Sequence, residues 1–216
     1  MIKEIYALGV GHNTPVMIDL AESCGFEIKG LYHYNKGRTG EYDHGFKILG
    51  SFEDLFNEIS LKGKCFLLTM GDNLIRADLA RKIMDKEGQL PTLIHPSAVV
   101  SRFSNISSIG VCILPFTCVE AGSSIGDNSI LLSHVDISHN TNVGKNCFIA
   151  SGTIVGAYTN VEDFVFLGLG SLSISGKVHK IGTHAYIGAR TLITKNVPEY
   201  TLFYGNPGKV ISNIKR

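Results

Sequence analysis

The segment SHVDISHN, Ser133 to Asn140, places His134 and His139 five residues apart, with Asp136 between them and Asn140 directly after. Three chemistries fit these residue types. Two imidazoles could ligate a metal, given a third protein ligand and a water in the fourth position of a catalytic zinc. One imidazole could act as a general base, because its proton affinity suits transfer near neutral pH. Both could also be solvated surface side chains. A second candidate is Gly9-Val10-Gly11-His12, which follows a short apolar run. Backbone N–H groups at such a turn could cradle phosphate, although the third glycine of the full dinucleotide motif is absent. The dipeptide Gly71-Asp72 follows another apolar run, Cys65 to Met70, and α/β sheets bind ligands at the C-terminal ends of their strands.

The elements that must position these residues fall into two parts. Residues 1–90 alternate between strand and helix patterns. Ile5 to Leu8 reads as a strand that stops at Gly9. Thr14 is expected to cap a helix with Pro15 at its first position, ending at Gly25. Phe26 to Tyr34 reads as a second strand. Ser51 is expected to cap a short helix carrying Leu55, Phe56 and Ile59. Cys65 to Leu68 has the character of a buried parallel strand. A last helix through Leu74, Ile75, Leu79, Ile83 and Met84 closes at Gly88. The β-α-β-β-α-β-α order predicts a small Rossmann-like α/β domain.

Residues 91–216 carry a different signal, a repeat of six. Ile113, Val119, Ile125, Leu131, Ile137, Val143, Ile149, Val155, Val161 and Leu167 are all aliphatic. Four residues after each stands a small or β-branched residue, from Thr117 and Ser123 to Val165 and Ser171. Ile94, Val100 and Ile106 keep the spacing upstream of a one-residue slip. Ile181, Ile187 and Ile193 resume it after a two-residue slip. A period of six matches neither a helix at 3.6 nor an alternating strand at 2. It predicts a parallel β-helix in which each hexad is a short strand plus a corner, with the aliphatic side chains stacked inside. In that register His139 stands two residues after the inward Ile137 and His134 three after the inward Leu131, so both project outward. His179 and His184 flank the two-residue slip and read as exposed loop residues.

Composition narrows the partners. The chain has 216 residues, a formal net charge of +1, 44% apolar and 18% charged residues, so no broad field draws it to nucleic acid or an anionic membrane. Five cysteines, without a CxxC pair, suit reduced thiols in the cytoplasm rather than a disulfide framework. The start lacks a signal peptide's apolar run, and no stretch is long enough for membrane insertion.

The repeat, together with the closing stretch IGARTLITKNVPEYTLFYGNPGKVI from Ile187 to Ile211, resembles the hexapeptide-repeat acyltransferases. Their β-helix is left-handed and they are homotrimers. In the N-terminal half, GVGH, ILGSFEDL and MGDNLIR narrow the resemblance to the sialic-acid O-acetyltransferase and bacillosamine N-acetyltransferase group. It implies an acetyl-CoA-dependent N-acetyltransferase acting on an amino group of a nucleotide-linked sugar, such as a 4-amino-deoxysugar, in bacterial surface-glycan synthesis. A sugar O-acetyltransferase is the alternative. A non-catalytic sugar-nucleotide-binding scaffold is a third reading.

The resemblance also assigns residues. His139 falls where the group has its catalytic base, and Asn140 where it has an acid. Asparagine can orient a neutral imidazole but cannot stabilise imidazolium by charge. Asp136, or the substrate itself, remains an alternative. Phe148 stands where the group often has a histidine beside the acyl carbonyl, which would leave oxyanion stabilisation to the backbone N–H of Ala157. Leu169, Gly170 and Ala189 would line the pantetheine of acetyl-CoA, and Lys195 and Lys209 would meet its phosphates. Gly9, Gly11 and His12 would hold the nucleotide sugar. The group's acidic pair after strand two is replaced within His33, Tyr34 and Asn35, which leaves the nucleotide open among UDP, dTDP and GDP. Gly71, Asp72 and His134 are further substrate candidates. The spacing of His134 and His139 also resembles the γ-class carbonic anhydrases, but the third histidine of that family would fall near Ala98. His95, the nearest, follows Ile94 and faces elsewhere, so no metal is expected.

Overall fold

The computed structural model describes residues 3–214, and the chain divides into two compact units between Leu93 and Ile94. In the first unit β1 (Lys3–Leu8), β2 (Phe26–His33), β4 (Phe46–Ser51) and β5 (Phe66–Leu68) are parallel, and the short β3 (Tyr42–Asp43) pairs antiparallel with β4. The strand order is β3-β4-β2-β1-β5. Three helices connect the strands: α1 (Thr14–Ser23), α2 (Phe52–Phe56) and α3 (Asn73–Asp85). The parallel strands read as continuous apolar runs because both faces are buried, as at Leu67, Leu68, Ala7 and Leu8.

The caps differ in part from the sequence reading. Ser51 does cap α2, in a reciprocal box with Asp54. Asn13, not Thr14, is the N-cap of α1, with no side-chain cap bond. The Thr14 hydroxyl instead accepts from the Gly11 N–H at 2.9 Å, so it shapes the preceding turn rather than the helix end. Strand β2 ends at His33, one residue before Tyr34.

In the second unit two-residue strands stack into three parallel sheets. Each coil is three hexads long, so Cys118 pairs with Asp136 and Asp136 with Ile154, eighteen residues apart. All ten aliphatics from Ile113 to Leu167 lie in one continuous buried core. The small residues four positions later are inside as well. Their hydroxyls donate to a corner carbonyl of the following coil, as in Thr117 to Leu132, Ser123 to Ser138 and Thr141 to Gly156 at 2.8–3.0 Å. An inward hydroxyl is thus satisfied without water. Val100 and Ile106 pack on this core, whereas Ile94 is exposed.

From Gly110 onward the corners pass through the left-handed region of backbone space. Glycine or asparagine takes some of these positions, but so do Phe116, His134, Tyr158, Phe164, His184, Arg190 and Tyr200. Such residues pay a steric penalty there. Ring stacking between coils offsets it: Phe116 lies on His134 at 5.1 Å, and His184 lies between Phe164 and Tyr200 at 4.7 and 4.8 Å. His184 is therefore a half-buried packing residue, not a loop residue.

Candidate functional site

His134 lies on the corner between the strands Ile130–Leu131 and Asp136–Ile137, and His139 on the next corner, before Asn142–Val143. The two-residue strand Asp136–Ile137 separates them. Among the described residues, no three His, Cys, Asp or Glu side chains are grouped to hold a metal.

His139 has a defined setting. Its Nδ1 lies 3.0 Å from Asn140 Oδ1. That oxygen can only accept, so Nδ1 carries the hydrogen, and in the neutral imidazole the lone pair then lies on Nε2. This is the tautomer a general base requires. Asn140 adopts a φ of 56°, which asparagine tolerates well. Its amide lies over Gly122, where an added Cβ would stand 2.7 Å from Asn140 Nδ2. From the coil on the other side the Tyr158 ring meets the imidazole edge to face, 5.2 Å away and at 88°. The Glu120 carboxylate accepts the His139 backbone N–H at 2.8 Å. Gly122 and Tyr158 escaped the sequence reading, yet each stands eighteen residues from Asn140, one coil away.

Asp136 sits on the outer face of the strand between the two histidine corners. Its Oδ1 is buried and, among the described residues, has no hydrogen-bond partner. Burial, then the Glu120 carboxylate, pushes its acid up from 3.8. It makes no recorded bond to His139, so Asn140 is the side chain that orients the base. Burial, then Asp136 and Glu120, pushes the neighbouring Cys118 thiol up as well, which keeps it protonated and a poor nucleophile.

The expected coenzyme residues are divided. Leu169, Gly170 and Ala189 share the His134 corner on successive coils, linked by the Arg190 N–H to Leu169 carbonyl bond of 2.7 Å. Ala157 and Lys195 share the His139 corner, and Lys209 lies on the C-terminal strand Gly208–Asn213. Both lysines are exposed. Two expectations change. The Ala157 N–H already donates to Ser175 Oγ at 2.9 Å, so it is not an open oxyanion donor. Ser175 lies in the two-residue slip, whose extra length folds over this corner. Phe148 is buried and stacked on Phe166 at 5.5 Å, with Tyr186 next in the ladder, so it is a packing residue within this chain.

In the N-terminal unit a cavity of about 380 Å³ opens at the ends of β1 and β5. It brings together Gly9, Gly11, His12, Tyr34 and Gly71 from the sequence reading with Phe52, Thr69 and Ile75, which that reading missed. Close approach explains Gly9: its φ is +104°, and a Cβ would stand 2.5 Å from Thr69 Oγ1. Its N–H, however, donates to the Tyr32 carbonyl, and the Gly11 N–H goes to Thr14. These two donors are not aimed at a phosphate. Three other candidates serve local turns. His33 Nδ1 accepts the Asn35 N–H, Asn35 Oδ1 accepts the Gly37 N–H, and Asp72 caps α3 by accepting from Leu74 and Ile75.

No protein-family model matches the chain. A curated acyl-[acyl-carrier-protein]–UDP-N-acetylglucosamine O-acyltransferase from Nautilia profundicola is 30% identical over 102 residues, which are 44% of this chain and 39% of that protein. One of the same description from Pseudomonas aeruginosa is 27% identical over 119 residues, 55% of this chain and 45% of that protein. The chain thus spans less than half the length of these relatives. Solved structures match nearly throughout. PerB from Caulobacter crescentus, in complex with CoA and GDP-perosamine, is 25% identical with a TM-score of 0.87, over 98% of this chain and 99% of that one. The acetyltransferase domain of PglB from Neisseria gonorrhoeae with acetyl coenzyme A is 24% identical with a TM-score of 0.86, over 97% and 99%. The expected resemblance to left-handed β-helix sugar acyltransferases is borne out.

Proposed function

We propose that this chain transfers an acetyl group from acetyl-CoA to the amino group of a nucleotide-linked sugar, with His139 as the general base. The observation that carries this reading is the bond from His139 Nδ1 to Asn140 Oδ1, which leaves Nε2 free to take a proton. The amine nitrogen attacks the thioester carbonyl and gives its proton to Nε2. The C–S bond then breaks, and the proton passes to the departing thiolate. Imidazole is basic enough to assist the attack and acidic enough to return the proton. The neighbours in complex with CoA or with a GDP-amino-sugar support the assignment of co-substrate and acceptor class.

The N-terminal unit is the Rossmann-like nucleotide-binding part, and the β-helix carries the chemistry. A homotrimer completes the site. The base and the pantetheine residues occupy two corners flanking one sheet, and the outer face of that sheet exposes Val99, Ile154 and Leu172. An uncovered apolar face between two halves of a site suits coverage by a second copy. The enzyme works in the cytoplasm, where acetyl-CoA and nucleotide sugars are available; among the described residues no helix is long and apolar enough to cross a membrane.

Purified protein given acetyl-CoA and a nucleotide 4-amino-sugar should release CoA thiol. His139→Ala should lower kcat/KM by about 100-fold or more, the usual contribution of a positioned base. Wild-type rates in that variant would remove His139 from the mechanism. Turnover of hydroxyl but not amino acceptors would make the enzyme an O-acetyltransferase.

A further inference from the structure

A second cavity, about 860 Å³, runs between α2 and α3, and Tyr34, Phe52 and Ile75 line both it and the smaller cavity at Gly9. Its floor is apolar, with Phe56, Leu74 and Leu79 beside the three shared residues. Tyr34 is 77% exposed, an uncovered aromatic ring at the junction.

Most polar groups around this groove are occupied. Asp78 pairs with Arg81 and Lys82, Asp85 with Arg81, and Lys86 Nζ donates to the Glu58 carbonyl. Nearby Lys36 is held by Asp54. Two lining side chains are different. Glu53 and Asn57 make no side-chain hydrogen bond or ion pair among the described residues. They are four apart and linked by the Asn57 N–H to Glu53 carbonyl bond, which places Asn57, the C-cap of α2, one turn beyond Glu53.

We infer that this groove takes the base of the nucleotide sugar and selects guanine, with Glu53 and Asn57 reading its edge and Tyr34 stacking on its ring. The inference rests on the proposed function only in taking a nucleotide sugar as the ligand. The chemistry follows from hydrogen-bonding patterns. Guanine presents two adjacent donors, N1–H and the 2-amino group, beside the O6 acceptor. A carboxylate accepts both donors, and an amide N–H donates to O6. Uracil and thymine offer one donor flanked by two carbonyl oxygens, one of which a bidentate carboxylate would repel. Adenine turns the N1 lone pair toward the carboxylate. An aromatic face binds any base, so stacking supplies affinity and the polar pair supplies selectivity.

The test is titration calorimetry of the full chain with GDP, IDP, UDP, dTDP and ADP. GDP should bind about tenfold or more tightly than UDP, dTDP and ADP, as expected of a bidentate contact. IDP lacks the 2-amino group and should bind more weakly than GDP. Glu53→Gln should remove the preference for GDP over IDP, with no change in UDP affinity or melting temperature. Equal or tighter binding of UDP or dTDP, absence of binding by every diphosphate, or an intact GDP preference in Glu53→Gln would each overturn the inference. The measurement needs no acetyl transfer. A guanine-selective protein that acetylates nothing defeats the proposed function and leaves the inference standing. An enzyme that acetylates UDP-amino-sugars without guanine preference does the reverse.

Discussion

Gly122 links the backbone of one coil to the base on the next, and Gly122→Ala isolates that link. The glycine has a φ of +73°, and its new Cβ would stand 2.7 Å from Asn140 Nδ2 and 3.3 Å from Cγ. The substitution therefore acts twice. An alanine in left-handed conformation costs about 1–2 kcal/mol. The displaced amide also loses its bond to His139, a net loss of about 1 kcal/mol, and frees the imidazole to rotate. Gly152 is the control. It has a φ of +70° on the other corner, with only the Gly170 Cα near, at 4.0 Å. Gly152→Ala should carry the strain alone. In thermal unfolding both variants should melt a few degrees lower, at about 2–4 °C per kcal/mol for a chain of this size. In steady-state kinetics only Gly122→Ala should lose about tenfold or more in kcat/KM. Asn140→Ala should lose a similar factor, and the double variant no more than Asn140→Ala alone, because both remove one interaction. Wild-type kcat/KM in Gly122→Ala, with a melting shift matching Gly152→Ala, would refute an orienting role for Asn140.

Two further predictions concern stability. Asp136 is pushed up from 3.8 by burial and by Glu120, so the folded chain holds that proton more tightly than the unfolded chain. Its contribution is therefore most favourable below pH 3.8 and is lost as pH rises through the folded value. Asp136→Asn should raise the melting temperature at pH 7 and give no gain near pH 3.5; a constant gain across that range would remove ionisation as the cause. Ser51→Ala breaks the capping box, in which Ser51 Oγ accepts the Asp54 N–H at 3.0 Å and donates to Asp54 Oδ2 at 2.8 Å. It should cost about 1 kcal/mol. An unchanged melting curve would show that the box contributes nothing measurable.

The β-helix was legible in the sequence because its core is one residue type at a fixed period. The ten aliphatics of the register from Ile113 to Leu167 all face inward, and a six-residue repeat admits few other folds. The outward placement of His134 and His139 followed from the same count. Contacts between coils were not legible residue by residue. They join positions eighteen apart in the middle of the helix and twenty apart after the slip, as with Asn160 and Lys180, so Gly122, Tyr158 and Ser175 gained roles only when the coils were stacked. The N-terminal turns show the opposite limit. Position at strand ends suggested ligand contacts at Gly9, Gly11 and Asp72, and the family resemblance suggested them at His33 and Asn35. Tertiary structure decided which polar groups satisfy the chain itself, and which, such as those of Glu53 and Asn57, stay exposed to solvent.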